Sequence, residues 1–104
     1  MMKYIEIKAN DGIYGLELEK VAINYADYYF YSENITDPYT LQEYREEIMN
    51  DDYEGIDWLI NSTDIDDWEG EFFKISDKIC CTCADFWNDS GNFEIKTIDK
   101  TRNI

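Results

Sequence analysis

Carboxylates are the side chains of this sequence with the greatest capacity for chemistry. Fourteen Asp and Glu lie between Glu33 and Glu71 against a single base, Arg45, so this stretch holds most of the formal net charge of −15. Acids in such numbers can do three things: transfer protons, hold a cation, or present a fixed field to another molecule. Proton transfer needs a pair in which burial keeps one acid neutral. The adjacent pairs Asp51-Asp52 and Asp66-Asp67 sit among polar residues and read as solvated. Cation binding is suggested by Asp64-x-Asp66-Asp67-x-Glu69-Gly70, but the spacing fails. Counted from Asp64, glycine falls at position seven rather than six, and position twelve is Ile75 rather than a bidentate Glu. The third use fits better. Glu43 and Glu47 are four residues apart, a helical rise of about 6 Å, and on one continuous helix Asp51 and Glu54 would extend that row. Duplex DNA carries one charge per ~1.7 Å of axis, a density that several acidic rows together approach.

The other reactive residues add little. There is no His, so the commonest general base near neutral pH is missing. No Gly-rich phosphate loop occurs. Cys80, Cys81 and Cys83 are too few for a closed four-ligand zinc site. In a strand, Cys80 would also face away from the other two. They read as small apolar residues. The expectation is a protein that is not an enzyme and has no catalytic residue, no metal and no cofactor.

The field must be held by a fold, and the acidic stretch is not a solvated tail. Tyr39, Leu41, Tyr44, Ile48, Tyr53, Ile56, Trp58 and Leu59 run through it at helical spacing. A chain of 104 residues with 44% apolar and 16% aromatic content fits one domain, residues 1–104, with a modest core. Lys3 to Lys8 alternates polar and apolar, Asn10-Asp11-Gly12 makes a turn, and Ile13 to Leu18 alternates again, so the chain opens with a β-hairpin. Leu18, Val21, Ala22, Tyr25, Ala26 and Tyr29 then mark one face of a helix over roughly Glu19 to Tyr31. Asp37-Pro38 starts a second helix, with Asp as cap and Pro in the first turn, and Leu41, Tyr44 and Ile48 as its buried stripe. Asp51 with Glu54 suggests a capping box opening a third, with Tyr53, Ile56, Leu59 and Ile60 inward. The second and third could equally be one bent helix.

Trp68 is an expected anchor. Phe72 to Ile75 reads as a short strand or a helical turn, Lys78 to Ala84 as a strand, and Phe93 to Ile98 as a last strand after the turn Asn88-Asp89-Ser90-Gly91. Beyond Ile98 no element is expected. The fold class is therefore α+β: one small domain with a roughly four-stranded, mainly antiparallel sheet from N- and C-terminal hairpins and about three helices in the middle.

Three blocks of sequence then form a pattern. The first is Asp11-Gly12, Gly15-Leu16-Glu17-Leu18-Glu19, Ala22 and Ala26-Asp27-Tyr28-Tyr29. The second is Met49 to Trp58, followed by Asp67-Trp68. The third is Asp85-Phe86, Trp87-Asn88 and Gly91 to Ile95. The set resembles a family of small, acidic, mostly uncharacterised proteins from phages and conjugative elements of low-GC bacteria. The Cys80-Cys81-Thr82-Cys83 segment departs from it. The resemblance implies a mobile-element setting and no particular activity.

Partners are limited by sign. Nucleic acid is disfavoured as a direct partner, because Lys and Arg supply most phosphate affinity. A basic protein, or one with a basic nucleic-acid groove, is favoured. The residues expected to meet it are Glu43, Glu46, Glu47, Asp51, Asp52, Glu54 and Asp57. The sharpest form of this reading is a duplex mimic that inhibits a host nucleic-acid-binding or defence protein. The bland one is a solvated helix face. A self-assembling structural or adaptor protein is the alternative, and it would use the surplus aromatics Tyr14, Tyr28, Phe30, Tyr31 and Trp87 as its interface. No signal peptide is read in Met1 to Asn10, and no apolar run reaches transmembrane length. With three unframed cysteines, a cytoplasmic setting is expected.

Overall fold

In a computed structural model, which describes residues 2–98, the first two strands β1 (Met2–Ala9) and β2 (Gly12–Glu17) form the expected antiparallel hairpin around Asn10 and Asp11. The unusual backbone of this turn falls on Gly12, at φ +150°, where a Cβ would also lie 2.7 Å from the Ser76 carbonyl oxygen. Ile5 pairs with Leu16 and Ile7 with Tyr14, so the apolar members of the alternation share one face. That face is the floor of the core.

Three helices cover it. α1 (Leu18–Ser32) follows β2 directly and buries Leu18, Val21, Ala22 and Ala26. Asn34 takes the left-handed conformation at φ 55° that Asn tolerates. The Ile35 N–H then reaches back to the Phe30 carbonyl at 3.0 Å and the Asn34 N–H to Tyr31 at 3.2 Å, so two end carbonyls of the helix are satisfied by a Schellman turn. α2 (Pro38–Met49) starts as expected: the Asp37 carboxylate accepts the Tyr39 N–H at 3.0 Å, and Pro38 occupies the first turn. It packs antiparallel to α1.

α2 and α3 (Glu54–Ser62) are separate helices, broken at Asn50 to Tyr53. The Asp51 carboxylate accepts the N–H groups of Tyr53 at 2.8 Å and Glu54 at 3.2 Å. The expected Asp51 cap is present in that half only. The reciprocal capping box forms instead between Asp64 and Asp67, in the 3-10 turn Ile65–Trp68. The inner face of α3 is Gly55, Trp58 and Leu59, while Tyr53, expected inward, precedes the helix and is 83% exposed. Gly55 sets this rotation. A Cβ there would stand 2.8 Å from Leu18 Cδ1, so a larger residue could not face the core so closely.

Two short strands complete an antiparallel sheet of order β3-β2-β1-β4. β3 (Phe73–Ser76) pairs with β2, and β4 (Phe93–Ile98) with β1. The domain is thus α+β, a four-stranded antiparallel sheet under three helices. The C-terminal strands do not form a hairpin with each other. They are the two opposite edges, separated by the N-terminal hairpin. Residues 78–84, expected as a strand, are irregular. β3 ends opposite Ile13 and β4 begins opposite Ile7, so the chain between them must cross the end of the hairpin, where no strand edge is free to pair with it. Phe86 and Trp87 on this crossing are buried with Trp68 and Phe93. Trp87 is therefore core rather than surface, and its indole donates to the Thr63 carbonyl at 3.3 Å. The stretch after Ile98, in which no element was expected, lies outside the described residues. Among the described residues no helix is long and apolar enough to cross a membrane.

Candidate functional site

All seven acids expected to meet a partner are exposed. Glu43, Glu46 and Glu47 share the outward side of α2, since their spacing of three and four residues places them on one face, opposite buried Ile48. Asp51 and Asp52 lie in the turn between the helices. Glu54 and Asp57, three residues apart, share the outward side of α3. The evenly spaced row expected from one continuous helix is not present. The break at Asn50 to Tyr53 divides the acids into two groups joined by the turn.

The acids differ in how free they are. Asp51 is committed to the two N–H groups at the start of α3. Asp57 accepts the Asn61 amide at 2.7 Å, and Glu46 the Gln42 amide at 3.4 Å. Glu47 accepts the Tyr25 hydroxyl at 2.7 Å, and nearby Glu33 accepts the Tyr44 hydroxyl at 2.9 Å. These bonds hold the carboxylates in place without neutralising them. They also act on the phenols. Burial, helped by Glu47, pushes the Tyr25 hydroxyl well above its usual range, and the bond to Glu33 raises Tyr44.

Among the described residues no ion pair neutralises this surface. The ion pairs among the described residues are Lys20–Glu71, Lys74–Asp77, and Lys96 with Glu6 and Glu94. None involves an acid between Glu33 and Glu69. Arg45, the lone base of the stretch, is half-buried on α2 with its Nε enclosed and without a hydrogen-bond partner. Among the described residues none of the three α-helices has a base in its own last turn, although Lys3 of β1 donates to the Met49 carbonyl at the end of α2 at 3.1 Å.

Beside this ridge runs a feature that the sequence did not announce. Tyr25 and Tyr29 of α1, Tyr44 of α2 and Trp58 of α3 pack edge-on or tilted, with centroids 4.9 to 6.2 Å apart. The Trp58 indole donates to Asn24 at 2.8 Å. On the side of α1 away from α2, the cluster opens into a groove of about 950 Å³ toward Ser62, Thr63 and Asp67. Of the five surplus aromatics, Tyr28 and Tyr31 are well exposed, at 58% and 73%, and both line this groove. Phe30 and Tyr14 are half-buried. The excess of tyrosine over what one helical stripe needs was the available signal. Asn24, Asp27, Thr63 and Asp67 gave none, because only the packing of α1 on α3 brings them together.

The remaining candidates stay apart. Asp66 and Asp67 are both exposed, and Asp67 is used in the Asp64 capping box. Cys80 and Cys83 are exposed and Cys81 is half-buried, all as free thiols. Among the described residues no group of three or more Cys, Asp or Glu is disposed to hold a metal ion. No protein-family model matches the chain, and no curated protein or solved structure is detectably similar to it.

Proposed function

We propose that this chain is a non-enzymatic acidic protein-binding module, and that its ridge of α2, the Asn50–Tyr53 turn and α3 engages a basic surface on another protein. The observation that carries this reading is where the charge sits. Glu46 and Glu47 occupy the last turn of α2, the end at which the helix dipole disfavours anions, with no base in that turn and no ion pair to either; the nearby Lys3 ammonium donates to the Met49 carbonyl at 3.1 Å rather than to a carboxylate. Each such placement costs about 0.3–1 kcal/mol, and the like-charged pair Glu43 and Glu47 adds a similar small penalty. A surface that had only to be soluble would not need this arrangement. Unpaired, fixed carboxylates instead accelerate encounter with a basic partner and select it by sign.

A protein with a basic nucleic-acid groove is the sharpest candidate partner, with the ridge standing where phosphates would lie. The resemblance to proteins of phages and conjugative elements favours this form, since such elements gain from blocking host defence. The break between α2 and α3 means that a match to phosphate spacing would have to come from two helices and a turn rather than from one regular row. The test is affinity capture from a bacterial lysate with the wild-type chain and with the triple variant Glu43→Lys, Glu46→Lys, Asp57→Lys, with captured proteins identified by mass. A basic protein held by the wild type and lost by the variant is the expected result. Equal capture by both would remove the ridge from the interface. A self-assembling adaptor would instead show light scattering that rises with concentration beyond a monomer.

A further inference from the structure

The groove beside the ridge has walls, charge and room that nothing else in the fold uses. Its walls are aromatic: Tyr28 lies 5.2 Å from Tyr29 and 5.3 Å from Trp58 between ring centroids, so the rings are already held in place by one another. Tyr31 stands at the same lip. Two acidic residues, Asp27 and Asp67, line the same groove. Asp27 is half-buried and has no ion-pair partner among the described residues. Asp67 gives one oxygen, Oδ2, to the Asp64 N–H at 2.8 Å and leaves Oδ1 open. No Lys or Arg lines the groove. An apolar occupant would leave Asp27 covered and unpaired, which is unfavourable. A cation of compact, fully hydrated form would waste the ring faces. A planar cation satisfies both.

We infer that this groove receives an arginine side chain from the basic partner, its guanidinium stacked on Tyr28 or Tyr31 and forked onto Asp27 and Asp67. Guanidinium is the side-chain cation that both stacks on aromatic faces and donates in a fixed fork to carboxylates. At about 950 Å³ the groove also has room for the residues on either side of that arginine. The inference rests on the reading that the partner is basic, and it adds an anchor point separate from the ridge. The ridge supplies attraction over distance. The groove supplies a directional contact at one residue.

The experiment uses the full chain labelled with nitrogen-15 and a capped peptide Gly-Arg-Gly-Arg-Gly, compared with twins carrying citrulline or lysine in place of arginine. Citrulline keeps the plane and the shape but loses the charge. The arginine peptide is expected to shift the amides of Asp27, Tyr28 and Tyr31 and the Trp58 indole N–H. The citrulline twin should bind about tenfold more weakly, the scale of one charge-assisted contact, and the lysine twin should also be weaker. Asp27→Asn and Tyr28→Ala should each weaken the arginine peptide severalfold, while Tyr28→Phe, which keeps the ring, should retain binding. Shifts confined to Glu43, Glu46, Glu47 and Asp57 would overturn the groove and leave the ridge reading standing. Equal binding of the citrulline twin, or no shift at the groove residues, would overturn it as well. Failure of the ridge is read separately, from the lysate capture with the charge-reversed variant.

Discussion

The sheet and the helical ridge treat charge in opposite ways. On the sheet, Glu6 is buried and bridged by Lys96 at 3.0 Å, and Lys74 at the far edge pairs with Asp77 and lies over the Tyr14 ring at 4.9 Å. Charges there are mixed in sign, and the pair Lys96–Glu6 joins two strands. On α2 and α3 they are many and, Arg45 apart, of one sign, and no ion pair among the described residues neutralises them. Both regions enclose the same core, so the fold does not require the difference. A four-stranded sheet under three helices could be built with Lys and Glu alternating along the outward side of α2, as stable surface helices often are. Apart from Asp51, which caps α3, and Glu47, which accepts the Tyr25 hydroxyl, the excess is localised where it makes no contact that holds the fold, in keeping with the proposed role of the ridge.

On this contrast, changes in the core against the sheet should cost stability, and changes at the ridge acids that hold no other element, such as Glu43 and Glu46, should cost binding alone. The largest effect is expected at Leu16, fully buried at the sheet centre opposite Ile5. Leu16→Ala should lose about 2–5 kcal/mol by leaving a cavity, read as a lower urea midpoint. Gly15→Ala should come next. A Cβ at Gly15 would stand 2.2 Å from the Phe73 ring that packs over it, so that ring must leave its place against Tyr4, at a cost of about 1–3 kcal/mol. Fluorescence from Tyr and Trp would report both.

Tyr25→Phe lies between the two regions. It removes the hydroxyl that holds Glu47 and should cost about 1 kcal/mol at neutral pH. Its pH dependence has a definite sign. The folded state raises the Tyr25 hydroxyl above its usual 10.0 and so holds that proton more tightly than the unfolded chain does. Stability from this group is therefore complete below pH 10 and is lost as pH rises above it. Lys20, Lys74 and Lys96 are raised too and act in the same direction. The wild type should lose stability above pH 10, and Tyr25→Phe should lose less of it, as thermal melts at a series of alkaline pH values would show.

The smallest and most telling effect is on the ridge. Glu43→Gln with Glu46→Gln should leave stability unchanged or raise it by some tenths of a kcal/mol, since like-charge repulsion and an unfavourable dipole contact are removed. Loss of more than about 1 kcal/mol, beyond what such surface charge changes normally cost, would mean that these acids are structural.

Much of this architecture was legible in the residue pattern. The alternation from Lys3 to Leu18, the stripe from Leu18 to Tyr29 and the Asp37-Pro38 start each became the element they signal, because local geometry and burial agree there. Where tertiary packing decides, the pattern misled. Ile79, Cys81 and Cys83 alternate like a strand, yet the chain at that point crosses the end of the hairpin and has no edge to join. The face of α3 turned on Gly55, whose missing Cβ matters only because Leu18 lies against it. The exposure of the seven acids was legible from composition. The break in their row depended on the Asp51 carboxylate turning to the Tyr53 and Glu54 N–H groups. Of the groove only the surplus of tyrosine was legible, since its residues come from two segments about thirty positions apart that meet only in the folded chain.

Whether the ridge occupies a basic surface on another protein is decided, for a partner with a nucleic-acid groove, by a three-way titration. The captured partner is mixed with a fluorescent DNA duplex, and this protein is added at low and at high salt while anisotropy is followed. The duplex should be released in direct proportion to the protein bound. Affinity should fall as salt rises, because exposed charges are screened, and the triple charge-reversed variant should release nothing. A stable complex of all three components, with the duplex still held, would contradict it.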